Sequence, residues 1–316
     1  MTADYSILID EQTWAFIERT NSFYPPDSID YSVARQREVY DTMCRAFFAE
    51  YPEAVSSANR FIEARNHRIP IRIYEKAGSD PEAVCLYFHG GGFVVGGLES
   101  HDDVCAELCD ATGFRIVSVD YRLAPEHLHP AAFRDCLAAF EHVASTSELH
   151  IILCGDSAGG NLVAAVTHHV RHHQRAPIGQ VLIYPGLGGA TDQGSYLEHA
   201  DAPMLTTRDT LYYADIRGGG FNWSTDPRFA PLNDPDFTEL PDTIVISAEC
   251  DPLSDDGRNY CDKISAAGGK AIWNNEPGLV HGYLRARHGV DRARASFRRI
   301  TTAVHLLGQR RWPGQL

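Results

Sequence analysis

Positive charge is scarce in this chain: 28 Lys and Arg stand against 42 Asp and Glu among 316 residues, a net charge of −14. That balance argues against nucleic acid or an anionic membrane surface as a partner, because both are held by Lys and Arg neutralising phosphates. Arg285, Arg287, Arg292, Arg294, Arg298 and Arg299 alternate with apolar positions and read as a solvated helix face. No apolar run approaches the length of a membrane-spanning helix. The opening MTADYSILIDEQTW carries acids early and has no apolar core of a signal peptide. Eight cysteines occur but no C-x-x-C pair, and several sit in apolar runs such as Val84-Cys85-Leu86 and Leu153-Cys154. They are expected to be reduced core residues of a cytoplasmic protein rather than a disulfide framework. A phosphate-binding P-loop and a dinucleotide fingerprint are also missing, and no cofactor is expected.

What is present is alternation. Residues 1–60 carry apolar positions at helical spacing (Trp14, Phe16 and Ile17, then Val39, Tyr40, Met43, Phe47 and Phe48). From there short apolar runs take over, at 69–74, 83–88, 115–119, 149–153, 180–184, 243–247 and 270–273. Between them lie helical patterns at 101–112, 133–145, 158–173, 257–267 and 291–307. Strands that are near-continuous Val, Ile and Leu runs, separated by helices, predict an α/β fold whose mostly parallel sheet is covered on both faces. The long Pro-rich interval 186–240 interrupts the alternation and is read with segment 1–60 as a helical cap on a catalytic domain spanning 61–316.

The chemistry gathers where strand runs end. LHIILC stops at Gly155, and helical sequence begins at Ala158, so Gly155-Asp156-Ser157-Ala158-Gly159 is a G-x-S-x-G pentapeptide in a strand–turn–helix setting. There the pentapeptide makes Ser157 an exposed nucleophile on a tight turn, with the helix N-terminus behind it. Upstream, His89-Gly90-Gly91-Gly92 follows the strand AVCLYF. A loop of this kind leaves backbone N–H groups open to a developing oxyanion, so Gly91, Gly92 and Ala158 are the expected donors, with His89 and Gly90 in the same loop. A serine needs a base and the base an orienting carboxylate. Asp251, after the run TIVISAEC, is the candidate acid, with Glu249 and Asp255 as rivals. His281, followed by a glycine after KAIWNNEPG, is the candidate base, with His288 as its competitor. The cluster His168, His169, His172 and His173 has helical i,i+4 spacing but no accompanying carboxylate or cysteine, and reads as a solvated helix terminus rather than a metal site.

HGGGF, Asp120-Tyr121-Arg122-Leu123-Ala124-Pro125-Glu126, GDSAGGN, DPL and HGY together resemble the hormone-sensitive-lipase-like branch of the α/β-hydrolases. Residues 248–256 and 35–40 look like those of bacterial acetyl esterases within it. The resemblance covers residues 70–290 well and the first 60 loosely. It implies an eight-stranded sheet with a helical cap, no cofactor, and hydrolysis of short-chain acyl esters as small-molecule substrates. Carried over, it makes Ser157 the nucleophile, His281 the base, Asp251 the acid, and Gly91, Gly92 and Ala158 the oxyanion donors. Asp120, Tyr121, Arg122 and Glu126 then read as scaffold beneath the oxyanion loop. His129 and Tyr283 depart from the commonest pattern, which has aromatic and Phe residues there. The same three residues also suit an amidase or deacetylase, separable by matched esters and amides. A non-enzymatic ligand-binding protein on this fold is the remaining alternative, and loss of one of the three is its expected mark.

Overall fold

The computed structural model describes residues 3–25 and 31–314. Eight strands form one sheet: β1 (Val55–Glu63), β2 (Arg68–Lys76), β3 (Ala83–Phe88), β4 (Arg115–Val119), β5 (His150–Asp156), β6 (Gly179–Ile183), β7 (Asp242–Cys250) and β8 (Ala271–Val280). Their spatial order is β1-β2-β4-β3-β5-β6-β7-β8. The β1–β2 and β2–β4 pairs are antiparallel and all later pairs are parallel. The sequence pattern anticipates seven of these strands. It misses β1, whose run VSSANRFIE is mostly exposed and lies on the sheet edge, across the boundary expected at residue 60.

The sheet has apolar packing on both faces, which explains its unbroken hydrophobic runs. On β3, Ala83, Cys85 and Tyr87 enter one buried cluster while Val84, Leu86 and Phe88 enter the other. Residues alternate across a strand, so a strand covered on both sides must be apolar at every position. Helices α4 (Asp102–Thr112) and α10 (Asp291–Gly308) supply the first face, and α5 (Ala131–Thr146), α6 (Ala158–Val170) and α9 (Ser254–Ala266) the second. All eight cysteines are buried and none is bridged. Among the described residues no helix is long and apolar enough to cross a membrane.

Two groups of helices lie outside this layered body in sequence. The first is α1 (Tyr5–Leu8), α2 (Glu11–Asn21) and α3 (Val33–Ala46); the second is α7 (Ser195–Glu198) and α8 (Thr207–Gly218). The start of α8 is set locally by a capping box, in which Thr206 Oγ1 accepts from the Asp209 N–H and Asp209 accepts from the Thr206 N–H. Its partners are not local. Tyr213 and Ile216 of α8, with Val33 and Tyr40 of the N-terminal segment, pack on Val94, Val95 and Ala124 just beyond the glycine loop.

Two expectations fail on burial. His168 is buried at 4% exposure against the Phe237 and Tyr260 rings, with Nδ1 3.1 Å from Asp234, rather than solvated. Burial pushes its pKa down to about 4. Arg287 is 2% exposed and pairs with Asp103 and Glu107, and Arg299 pairs with the buried Glu276. In both cases the partner comes from a distant segment, so local alternation cannot reveal it.

Candidate active site

Ser157 sits between β5 and α6 at φ 52° and ψ −117°, a strained conformation for a residue with a side chain. The turn closes only because its flanking residues are small. A Cβ on Gly159 would lie 1.8 Å from the Phe88 carbonyl oxygen, and one on Gly155 would lie 2.7 Å from it. These two glycines let α6 meet the ends of β3 and β5 at van der Waals distance, which drives Ser157 out beyond the strand ends.

His281 Nε2 is 2.8 Å from Ser157 Oγ, and His281 Nδ1 is 2.7 Å from Asp251 Oδ2. Asp251 is fully buried, and its second oxygen accepts from the Leu253 N–H at 2.9 Å. The carboxylate is thus fixed from its own turn. The structure therefore brings Ser157, His281 and Asp251 into one hydrogen-bonded line. It takes their rivals elsewhere: Glu249 accepts from the Gly278 N–H, Asp255 from the Ser195 N–H, and His288 is exposed against Glu107. Tyr184 packs its ring 4.8 Å from the His281 ring, and Tyr283 packs on Tyr184 at 5.1 Å while donating to or accepting from Ser296. Tyr283 therefore lies behind His281 and lines neither cavity beside Ser157.

The glycine loop faces this line. Among the described residues, the N–H groups of Gly91, Gly92 and Ala158 donate to no protein group. Gly92 has φ 60°, and a Cβ there would fall 2.5 Å from the Tyr213 ring, so the helix α8 can cover the loop only over a glycine. The loop is tied to the elbow by Asp156. Its Oδ1 accepts from the Gly90 N–H at 2.9 Å and from Tyr87 Oη at 2.7 Å, and its Oδ2 lies 3.2 Å from His101 Nε2. Burial pushes this carboxyl up, but His101 and these hydrogen bonds outweigh it and hold the pKa below the usual carboxylate range. His89 stacks on Tyr121 at 4.3 Å, and Tyr121 Oη donates to the His89 carbonyl at 2.6 Å. Burial, then the nearby His101, lowers the His89 pKa to about 4. Arg122 holds Asp135 through two nitrogens, and Glu126 pairs with Arg37 of α3. Arg37 also donates to the Val94 and Ala124 carbonyls, fastening the N-terminal helices to the segment after the loop. Asp156 lies inside the pentapeptide and Arg37 inside the segment 35–40, but nothing in the sequence pattern indicates the contacts that either makes.

Two cavities meet at Ser157, sharing Gly92, Leu205 and Tyr213. The first, about 160 Å³, is lined on its far side by Phe93, Leu211, Phe229, Leu253 and Arg217. Arg217 lies between the Phe93 and Phe229 rings, at 3.6 and 4.2 Å, and donates to the Arg228 and Phe229 carbonyls. Burial lowers its pKa to about 9. His129 lies behind this cavity, its ring 5.1 Å from the Phe229 ring and its N–H donating to the Arg217 carbonyl at 2.9 Å. The second cavity, about 230 Å³, is walled by His281, Gly282, Arg285, Tyr24, Tyr40 and Asp209.

Comparison with known proteins matches residues 85–285, well over half of the chain, to the family described by the alpha/beta hydrolase fold. Esterase LipI of Mycobacterium tuberculosis is 38% identical over 209 residues, which are 64% of this chain and 65% of LipI. The chain thus spans just under two thirds of the length of that relative. An ethyl acetate hydrolase of Pseudomonas putida is 29% identical over 284 residues, 85% of this chain and 88% of the relative. Among solved structures, the ester-hydrolase EH1AB1 from the metagenome of Lake Arreo superposes with a TM-score of 0.88 at 29% identity, covering 96% of this chain and 99% of that one. With the eight-stranded, mostly parallel sheet and this family match, the chain belongs to the α/β-hydrolase family of enzymes, in its hormone-sensitive-lipase-like branch.

Proposed function

We propose that this chain is a serine carboxylesterase acting on small esters of short acyl groups. The observation that carries the proposal is the line Ser157–His281–Asp251 facing three unspent backbone donors. Ser157 Oγ–H donates to His281 Nε2, which takes the proton as the oxygen attacks the ester carbonyl. Asp251 accepts from Nδ1–H, holding the ring in the tautomer whose Nε2 is free and favouring the imidazolium that forms. The N–H groups of Gly91, Gly92 and Ala158 receive the oxyanion. His281 then returns its proton to the leaving alcohol, and water, activated by the same base, releases the acyl group from Ser157. No cofactor enters this scheme.

The first cavity supports a short acyl group: at about 160 Å³ it is smaller than the roughly 300–1,000 Å³ of sites for drug-sized ligands. The name of the Pseudomonas putida relative, an ethyl acetate hydrolase, points the same way. Segments 1–60 and 186–240 act as the cap in this reading, since Tyr24 and Tyr40 of one and Leu205 and Tyr213 of the other line the cavities. Eight unbridged buried thiols favour a reducing, cytoplasmic setting. The test is hydrolysis of p-nitrophenyl esters from C2 to C12 by the wild type and Ser157→Ala. Wild-type activity peaking at C2–C6 and lost in the variant is expected. Full activity in the purified variant refutes the nucleophile, and a peak at C10 or beyond refutes the short-acyl assignment.

A further inference from the structure

Protonation of the leaving alcohol decides which cavity it occupies. His281 is the group that hands over that proton, and it lines the second cavity but not the first. The alcohol part of the substrate therefore lies in the second cavity, and the acyl part in the first.

The second cavity holds an unusual cation. Arg285, half-buried, donates through Nη2 to Tyr40 Oη and through Nε to Cys44 Sγ at 3.3 Å, and its guanidinium lies 4.9 Å from the centre of the Tyr40 ring. These contacts from α3 hold the side chain in place. Among the described residues no carboxylate pairs with it, and Nη1 has no partner. Nη1 is also close to the chemistry: a Cβ on Gly282, the residue after His281, would lie 3.9 Å from it.

Elsewhere this protein pairs its sequestered guanidinium groups with acids: Arg72 with Glu99 and Asp102, Arg122 with Asp135, Arg287 with Asp103 and Glu107. Arg217 has no acid, but both its terminal nitrogens are on carbonyl oxygens and both its faces are on rings. Arg285 alone among these keeps a terminal nitrogen without a partner beside Ser157. The two acids lining that cavity are committed. Asp156 is engaged by Gly90, Tyr87 and His101, and Asp209 Oδ2 accepts from the Thr206 N–H and Oγ1. Asp156 attracts Arg285 through space but accepts no hydrogen bond from it, so Nη1 stays unsatisfied, and a ligand carboxylate that accepts from it recovers the cost of that unpaired donor.

We propose that Arg285 makes the second cavity a carboxylate-binding alcohol subsite, so that the enzyme favours esters whose alcohol part carries a carboxylate. One carboxylate oxygen accepts from Nη1, on a wall that Tyr24 and Asn21 also line. The reaction stays the ordinary one: the acyl–oxygen bond breaks, water gives its hydroxyl to the acyl carbon and a proton to the alkoxide, and the hydroxy acid leaves with its carboxylate unchanged. This inference rests on the esterase reading above.

The experiment compares acetylated ω-hydroxy acids of two to four carbons with the matching ω-acetoxy amides, which are neutral and similar in shape. The quantity read is the ratio of kcat/KM for acid over amide, in the wild type, Arg285→Met and Arg285→Lys. Each ratio is internal to one preparation, so partial misfolding of a variant cancels. The expected result is a ratio at least tenfold lower in Arg285→Met at one or more chain lengths, with the larger part of the preference kept in Arg285→Lys. A smaller change at every length overturns the proposal, as does an equal loss in both variants. Wild-type hydrolysis of p-nitrophenyl acetate, which has no carboxylate, is measured alongside. Its absence is a failure of the esterase reading, whereas its presence with an unchanged ratio is a failure of the Arg285 subsite alone.

Discussion

Replacing Asp156 with Asn tests whether the glycine loop and the nucleophile turn are held as one unit. The two groups that would share an oxygen after this change are the Gly90 N–H at 2.9 Å and Tyr87 Oη at 2.7 Å, while the new amide faces His101 Nε2 at 3.2 Å. Hydrogen bonds to a charged acceptor contribute about 1.5–3 kcal/mol and neutral ones about 1 kcal/mol, so each of the two donors loses about 1 kcal/mol. Loss of the charge opposite His101 adds to this, and relief from burying a carboxylate subtracts, leaving a net destabilisation of about 2 kcal/mol. The kinetic effect follows from position. Gly90 precedes the donors Gly91 and Gly92, which in the proposed mechanism are fully used only when the oxyanion forms. A looser loop therefore lowers kcat about tenfold with KM held within about twofold, the signature of an interaction made in the transition state. Urea unfolding followed by tryptophan fluorescence gives the stability difference, with unchanged m showing that the denatured state is unaffected. Steady-state hydrolysis of p-nitrophenyl acetate on the same preparation gives kcat and KM. Equal stability together with an unchanged kcat refutes the coupling of loop and elbow through Asp156.

Other perturbations reach different parts of the same argument. Asp251→Asn keeps the side-chain shape but removes the acceptor for His281 Nδ1–H, and kcat is expected to fall about 10³–10⁴-fold with KM little changed; a loss below tenfold in stopped-flow assays assigns the orienting role elsewhere. Asp120→Asn reports on a carboxyl whose pKa burial raises to about 6, against the opposing pull of Arg72. Because the folded value lies above the unfolded one, the native state holds the proton longer, and wild-type stability falls as pH rises through roughly 4 to 6. The variant lacks that loss. Its melting temperature is expected to exceed that of the wild type at pH 8 and to converge with it below pH 4, and a gain of the same size at both pH values contradicts the ionisation argument.

The order of the proposed catalytic residues along the chain was readable because each piece follows a strand end. β3 runs into the glycine loop, β5 into Ser157, β7 into Asp251 and β8 into His281. In a parallel sheet those ends share one edge, so apolar runs followed by Gly, Ser, Asp and His at their C-terminal ends already imply a common location. β1 escaped the same reading because an edge strand with a single buried residue on each face has no continuous run: of its nine residues only Val55 and Ile62 are buried, in different clusters. The capping box of α8 is legible as Thr206 followed three residues later by Asp209, but the sequence does not say that Tyr213 will lie over Gly92.

What local pattern hides most consistently is the partner of a charge. Arg285, Arg287 and Arg299 share one alternating stretch that spacing assigns to solvent, yet three different environments receive them. Arg287 meets Asp103 and Glu107 from α4, Arg299 meets Glu276 from β8, and Arg285 meets Tyr40 and Cys44 from α3 with no acid hydrogen-bonded to it. Alternation at helical spacing reports which side of an element faces its own neighbours, and long cationic side chains extend beyond that reach. Distant acids satisfy the first two, and their role ends in the fold. The third keeps an unspent N–H beside His281, and a donor that the fold leaves unmet next to the proposed reacting atoms is better explained by the substrate than by the scaffold.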